Sequence, residues 1–247
     1  KDIMLDKKRI LITGANGTLG SIISQKLYEN NADLVLLYNK NDDKIKKLIN
    51  YKNKIETHRI DLLDQIKLEE TLQKITNEKS IDIFIHCPVL PIEHKSFLDN
   101  NWTDFQNHIE LQTKSFIQIS QHIVPLMKEK KYGKIIAILS SYLLGRPPPS
   151  LSPYIVSKYS LLGLLKILAV ELGQYGITCN GVSPSMFESK LIETYPKKLK
   201  TLNSMDNPLK KLVTPEDISS TILFLCSELS NFVNGENIVI SGGQVMH

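Results

Sequence analysis

Ile10-Leu11-Ile12-Thr13-Gly14-Ala15-Asn16-Gly17-Thr18-Leu19-Gly20 joins an apolar run to three glycines and then to a helical pattern through Ile22, Ile23 and Leu27. An unbroken apolar run of this kind reads as a strand of a parallel sheet, buried on both faces. Glycines at 14, 17 and 20 allow a tight turn and a close backbone approach, and the helix that follows supplies N–H donors and positive potential. Together they form a cradle for a pyrophosphate. A plain tight turn is the other reading of three glycines in a loop. Strands are predicted at 9–13, 33–38, 54–59, 81–86, 134–139, 178–183 and 237–240. Helical patterns fall at 19–30, 65–76, 102–130, 154–175 and 215–229. This alternation, without repeat, low-complexity tract or linker, predicts one α/β domain over 1–247. Its sheet is doubly wound, seven-stranded and mostly parallel, with helices on both faces and ligands beyond the strand carboxyl ends.

A second stretch, Ser152-Pro153-Tyr154-Ile155-Val156-Ser157-Lys158, carries chemistry. Tyr154 and Lys158 are four apart and share a helix face. Ser152 and Pro153 read as N-cap and first helical residue. Tyr154 then lies in the first turn, where the positive helix end and Lys158 both favour a phenolate. A phenol becomes a usable acid or base near neutral pH only with such help. By itself the spacing is weak, since a tyrosine and a lysine four apart usually mean nothing.

Composition narrows the classes. With 247 residues, 42% of them hydrophobic, the chain has ample core for a single domain. The net charge of +4 is spread along the chain and argues against a dedicated nucleic-acid binder. Cys87, Cys179 and Cys226 show no metal-ligand or C-x-x-C spacing, so no metal site is expected and a reduced cytoplasmic setting is. The longest apolar stretch, 161–172, is broken by Gly163, Lys166 and Glu171 and does not read as a membrane span. The polar segment 1–7 is expected to fray.

From these elements the chain resembles a short-chain dehydrogenase/reductase, a Rossmann-type family, in the single-domain branch of the 3-oxoacyl-[acyl-carrier-protein] reductases. The resemblance runs from about Lys7 to the C-terminus. It rests on the glycine turn, Asp61, Ser140, Tyr154 with Lys158, Ile177-Thr178-Cys179-Asn180-Gly181-Val182-Ser183-Pro184, Gly235, and Ser241-Gly242-Gly243, all in family order. It implies that Tyr154 passes a proton to a substrate carbonyl while a nicotinamide delivers hydride. Ser140 would stabilise the oxygen. Lys158 would hold the nicotinamide ribose and lower the Tyr154 pKa. Gly14, Asn16, Gly17, Thr18, Leu19 and Gly20 would line the phosphates. Asp61 and Leu62 would meet the adenine, with a mere loop cap as the alternative for Asp61. Pro184, Phe187 and Ser189 would flank the nicotinamide.

Three departures from the family pattern stand out. Gln112 falls where a catalytic asparagine is usual, which there kinks the helix and holds a water in the proton relay; both a retuned and a lost relay fit the longer amide. His86-Cys87-Pro88-Val89 replaces an Asn-Asn-Ala-Gly turn, so the backbone path must differ at Val89. Ser185 replaces a glycine after Pro184. At the end of the second strand, Tyr38 stands where an NAD site wants a carboxylate, and Lys40 follows. This favours NADP(H) over NAD(H), although Asp42 or Asp43 could swing back.

The expected substrate walls are Val89, Leu90, Pro91, Ser141, Tyr142, Leu143, Leu144, Pro147 to Pro149 and Met186, apolar enough for a lipid-like carbonyl. His86 and His94 read as polar strand-end or loop residues rather than as bases. Residues 185–213 resemble a substrate lid. Lysines 197, 198, 200, 210 and 211 there are either a solvated face or a site for a phosphopantetheine arm or acidic carrier protein. Expected partners are a small-molecule or thioester substrate, possible on a carrier protein, and further copies of the chain in a homodimer or homotetramer, through apolar positions of the 102–130 and 154–175 helices. The alternatives to a 3-oxoacyl thioester reductase are a sugar or polyol oxidoreductase and a catalytically weak dinucleotide-binding regulator.

Overall fold

The structure, a computed structural model, describes residues 4–48, 54–189, 192–193 and 195–246. Residues 1–3 of the expected frayed end and 190, 191 and 194 of the expected lid therefore lie outside the described residues. The apolar strand β1 (Arg9–Thr13) is buried along its whole length, and its side chains alternate between two cores. Ile10 and Ile12 enter one core and Leu11 the other. β2 (Asp33–Tyr38) repeats the division, with Leu34 and Leu36 on one side and Val35 and Leu37 on the other. Period-two alternation thus hides inside what reads as a continuous hydrophobic run.

β3 (Ile55–Arg59), β4 (Ile83–His86), β5 (Gly133–Ile138), β6 (Ile177–Pro184) and β7 (Asn237–Ile240) complete the sheet. The order is β3-β2-β1-β4-β5-β6-β7, and every pairing is parallel. Parallel neighbours need crossover helices, which cover both faces. α1 (Thr18–Glu29) and α7 (Pro215–Cys226) bury Leu19, Ile23, Leu27, Ile218 and Ile222 on one face. On the other, α2 (Gln65–Glu78), α4 (Ser115–Lys130) and α5 (Ser152–Leu172) bury Leu68, Leu72, Phe116, Ile119, Leu161 and Leu165. The winding reverses between β1 and β4, which opens a crevice at their carboxyl ends. Thr13 and His86 are the last register pair there.

Several expectations shift. The single helix expected over 102–130 is α3 (Trp102–Ile109), a π turn at Glu110–Lys114 and α4, running on without a break. Ser152 is not the N-cap of α5: the Ile155 N–H bonds to the Leu151 carbonyl at 3.0 Å, so the helix begins one residue earlier and Leu151 occupies the cap. Tyr154 stays in the first turn. Residues 4–7 are not simply frayed, because Leu5 is 1% exposed and its N–H bonds to the Asn30 carbonyl at 2.8 Å. The expected lid contains a helix, α6 (Lys197–Asp206).

The glycine turn is sterically forced. Gly14 has φ +66°, and a Cβ there would lie 2.7 Å from the Cys87 carbonyl oxygen. Gly14→Ala is therefore expected to cost at least about 2 kcal/mol, since both the backbone conformation and the Cys87-Pro88 contact oppose it. A fall of about 4–8 °C in thermal midpoint would follow; an unchanged midpoint would show that the turn has room to move.

Candidate active site

At the carboxyl ends of β1, β4, β5 and β6 lies a cavity of about 300 Å³. It brings together Gly17, Thr18, Leu19 and Gly20 from the start of α1, Ser140 from the end of β5, and Tyr154 and Lys158 from α5. Pro184, Phe187 and Ser189 come from the end of β6 and the turn beyond. Residues far apart in sequence thus meet because four parallel strands end on one side.

Ser140 is 5% exposed and caps a short 3₁₀ turn, its Oγ accepting from the Tyr142 N–H at 3.2 Å. Tyr154 is buried, and burial pushes its phenol up to about 12, partly offset by hydrogen bonding from Ser140. Lys158 is pushed down to about 8, again by burial. The expectation that Lys158 holds Tyr154 towards the phenolate therefore does not hold in this structure. Desolvation penalises both charged forms, and the ammonium, 5.8 Å from the Tyr154 ring centre, is held elsewhere. Its Nζ donates to the Ile138 carbonyl at 2.6 Å and to Gln112 Oε1 at 3.0 Å. Tyr154 is thus a neutral phenol, the form that can donate a proton.

The entrance to α1 fits a dinucleotide's phosphates. Its N-cap, Gly17, offers no side-chain cap, so the first-turn N–H groups face the cavity undiverted. Gly14 packs behind the turn, against Cys87 and Pro88. Asn16 Oδ1 accepts from the Lys44 N–H at 3.0 Å and the Ile45 N–H at 3.3 Å, folding the loop after β2 onto the glycine turn. That contact brings Lys44 Nζ to 3.4 Å from Thr18 Oγ1, a cation beside the phosphate cradle that spacing alone did not single out. Lys40 is exposed on the same loop. Asp42 pairs with Lys46 at 3.0 Å and Asp43 accepts from Asn41 at 3.1 Å, so both carboxylates already have partners on the loop after β2. Asp61 is exposed, and its Oδ1 caps the Leu63 N–H at 3.0 Å; neither it nor Leu62 lines the cavity.

Of the expected substrate walls, Val89, Pro91, Tyr142 and Met186 line this cavity, joined by Ile92, Leu151, Ile192 and Tyr195, which the motif reading missed. Leu90 faces a separate polar pocket behind Tyr154 with His108. Ser141, Leu144 and Pro147 to Pro149 line an adjoining cleft bordered by α6. Leu143 is buried. His94 Nε2 and Tyr195 Oη are 2.5 Å apart, tying the turn after β4 to the lid segment.

A protein-family model described as Enoyl-(Acyl carrier protein) reductase matches residues 14–245. The chain belongs to the short-chain dehydrogenase/reductase family, a family of oxidoreductases. It is 32% identical over 251 residues to the 3-oxoacyl-[acyl-carrier-protein] reductase FabG of Buchnera aphidicola, covering 98% of this chain and 99% of that one. The Rickettsia felis protein of the same name is 28% identical over 244 residues, covering 99% of each. Among solved structures, a gluconate 5-dehydrogenase from Burkholderia cenocepacia, in complex with NADP and tartrate, superposes with a TM-score of 0.89 at 21% identity. That match covers 98% of this chain and 96% of the other, and shares the fold. Against the family pattern, His86 is the clearest structural novelty. It is a strand-end residue as expected, but 1% exposed and pushed down to about 3, mainly by burial and then by the Lys158 charge.

That shift carries a stability signature. The unfolded imidazole takes up a proton near 6.5, whereas the folded one resists until about 3. The stability it contributes is complete above about pH 6.5 and drains away as pH falls, by up to about 1.4 kcal/mol per pH unit. His86→Asn is expected to flatten the acid limb of midpoint against pH between about 6 and 4; an unchanged limb would mean the imidazole is protonated in the fold.

Proposed function

We propose that the protein is an NADP(H)-dependent carbonyl reductase acting on 3-oxoacyl thioesters. The observation that carries this reading is the meeting of Ser140, Tyr154 and Lys158 on the wall of one apolar cavity that also opens onto the start of α1. The names of the two FabG relatives point to the same substrate class. The glycine turn, the α1 N-terminus, Pro184, Phe187 and Ser189 would hold the dinucleotide, with Asp61 and Leu62 at the adenine. Tyr38, Lys40 and Lys44 favour a 2′-phosphate over a bare ribose. When bound, the nicotinamide supplies the hydride.

Tyr154 Oη gives its proton to the carbonyl oxygen, for which a phenol held at about 12 is in the right state. Ser140 Oγ hydrogen-bonds the same oxygen and stabilises its developing charge. Lys158 spends two N–H groups on Ile138 and Gln112 and presents its charge to the ribose. Apolar walls such as Val89, Ile92 and Met186 suit an acyl chain better than a polyol. Of the lid lysines, Lys200 pairs with Glu188 at 3.3 Å and Lys210 donates to the Met205 carbonyl at 2.7 Å. Lys197, Lys198 and Lys211 stay exposed for an acidic carrier protein. Leu161 and Leu165 face the chain's own core, whereas Val156, Tyr159, Ile167 and Val170 leave the outer side of α5 apolar. This supports a homodimer or homotetramer, and the three unpaired cysteines fit a cytoplasmic setting.

The test is titration of NADPH and NADH by nicotinamide fluorescence, followed by consumption with a 3-oxoacyl thioester and with a polyol in parallel. NADPH is expected to bind more tightly and to turn over with the thioester. Tyr154→Phe should lower kcat by at least about 10²-fold with binding kept; unchanged turnover would remove the mechanism. The value of kcat/KM for the nucleotide reports free-enzyme ionisations. It should hold steady at low pH and fall above about 8 as Lys158 loses its proton. Binding of NADPH without turnover of any carbonyl would leave a regulatory dinucleotide binder.

A further inference from the structure

Two departures from the family pattern, the turn after β4 and the amide before β5, are one connected structure. Gln112 sits in the π turn, 1% exposed, and every polar atom of its side chain is used. Oε1 accepts from Lys158 Nζ at 3.0 Å, and Nε2 donates to the Pro88 carbonyl at 2.6 Å. Its backbone carbonyl lies 2.9 Å from His86 Nε2. A carbonyl only accepts, and burial keeps His86 neutral, so the one ring proton belongs on Nε2. His86 Nδ1, 2.9 Å from Thr13 Oγ1, must then accept from that hydroxyl. Thr13 Oγ1 in turn accepts from the Cys87 N–H at 3.3 Å. The rings of Phe84 and Phe116 pack against the imidazole at 5.6 and 5.4 Å. A continuous strut therefore runs from β1 through His86 and Gln112 to Lys158.

We propose that Gln112 is a positioning residue for Lys158: its amide holds the ammonium directly, the Pro88 carbonyl holds the amide, and His86 holds the backbone of the same residue. Asparagine, which the family pattern places here, is then the wrong residue for this chain. It is one methylene, about 1.5 Å, too short to span the Pro88 carbonyl and Lys158 together. His86 fixes the backbone at position 112 and the glutamine side chain reaches Lys158 from there, so the two act on one point and neither marks decay. The kinetic part of this proposal rests on the reductase reading; the structural part does not.

The test compares Gln112→Asn, the shape-preserving Gln112→Met, His86→Asn and the double variant His86→Asn/Gln112→Asn. The first readout is ¹³Cε-lysine NMR of the nucleotide-free protein, with the Lys158 signal assigned by its loss in Lys158→Met. The ionisable groups facing Lys158 are Tyr154 from α5, His86 and Cys87 from the end of β4, and His108 from α3. None of the four is altered by a change at position 112. Losing the Gln112 acceptor removes a bond to the charged form, so both single variants at 112 should lower the Lys158 midpoint by about one unit. The second readout is turnover. Gln112→Asn should lower kcat on the order of 10–100-fold, with the nucleotide KM within about threefold. Adding His86→Asn should cost less than its single effect, because the two act as a unit. A wild-type midpoint and kcat in Gln112→Asn would overturn the proposal, since a water would then serve as well; fully multiplicative effects would overturn the pairing. If Gln112→Asn fails to fold, Gln112→Met decides. If the wild type reduces no carbonyl, the reductase reading fails while the NMR midpoints still judge the strut.

Discussion

Lys158 places an ammonium in the interior, 3% exposed, with no carboxylate beside it among the described residues. An unpaired buried charge is among the costliest features a fold can hold, and it survives only when its protons are met by well-placed acceptors. Here the acceptors are a carbonyl at the end of β5 and a side-chain amide from a π turn. Both must be delivered by elements remote in sequence, and most of the local architecture follows from that need. β5 ends where it does so that Ile138 can offer its oxygen. The helix before it widens to a hydrogen bond that reaches five residues back, Ser115 N–H to the Glu110 carbonyl, and both the amide and the backbone carbonyl of Gln112 meet the end of β4 there. Burial pushes the lysine down to about 8, still an ammonium at neutral pH.

Tyr154 shows the other side of that constraint. Solvent exclusion raises the phenol to about 12, so the site favours its protonated form. A tyrosine–lysine pair read from spacing alone suggests mutual stabilisation of opposite charges. The fold instead shares a desolvation cost between them and directs the ammonium to neutral oxygens. Ser140 is what remains to lower the phenol, and it does so from the same position in which it can meet a substrate oxygen.

The doubly wound sheet and the glycine turn were legible because each is imposed by local chemistry. Alternating apolar side chains in β1 and β2 need cover on two faces, and a backbone at φ +66° pressed on the Cys87 carbonyl admits only glycine. Ser140, Tyr154 and Lys158 could be named because their order along the chain is distinctive. Lys44 and Tyr195 could not. Each reaches the site through a loop whose path is set by long-range hydrogen bonds, from the Lys44 and Ile45 N–H groups to Asn16 and between Tyr195 and His94. No periodicity encodes such a contact. The misplaced α5 cap has the same origin, since Ser152 has the right side chain but the first helical bond starts at Leu151.

His86 and Gln112 show why single departures from a pattern mislead when weighed one at a time. Read separately, a histidine in the turn and a lengthened amide each look like erosion of a site. In three dimensions the histidine's ring proton meets the glutamine's backbone carbonyl, and the glutamine's amide spans the 2.6 Å bond to Pro88 and the 3.0 Å bond to Lys158. A random drift at two positions would leave buried polar atoms orphaned, each costing about 1–3 kcal/mol. Instead every one of these atoms has a partner, including both ring nitrogens of a histidine that burial has made neutral. Satisfied polar networks of this kind are stiff, because moving any member strands the others. The consequence for the chemistry is positional: the lysine charge is fixed from behind by the protein itself, at a point set by strand ends and not by solvent.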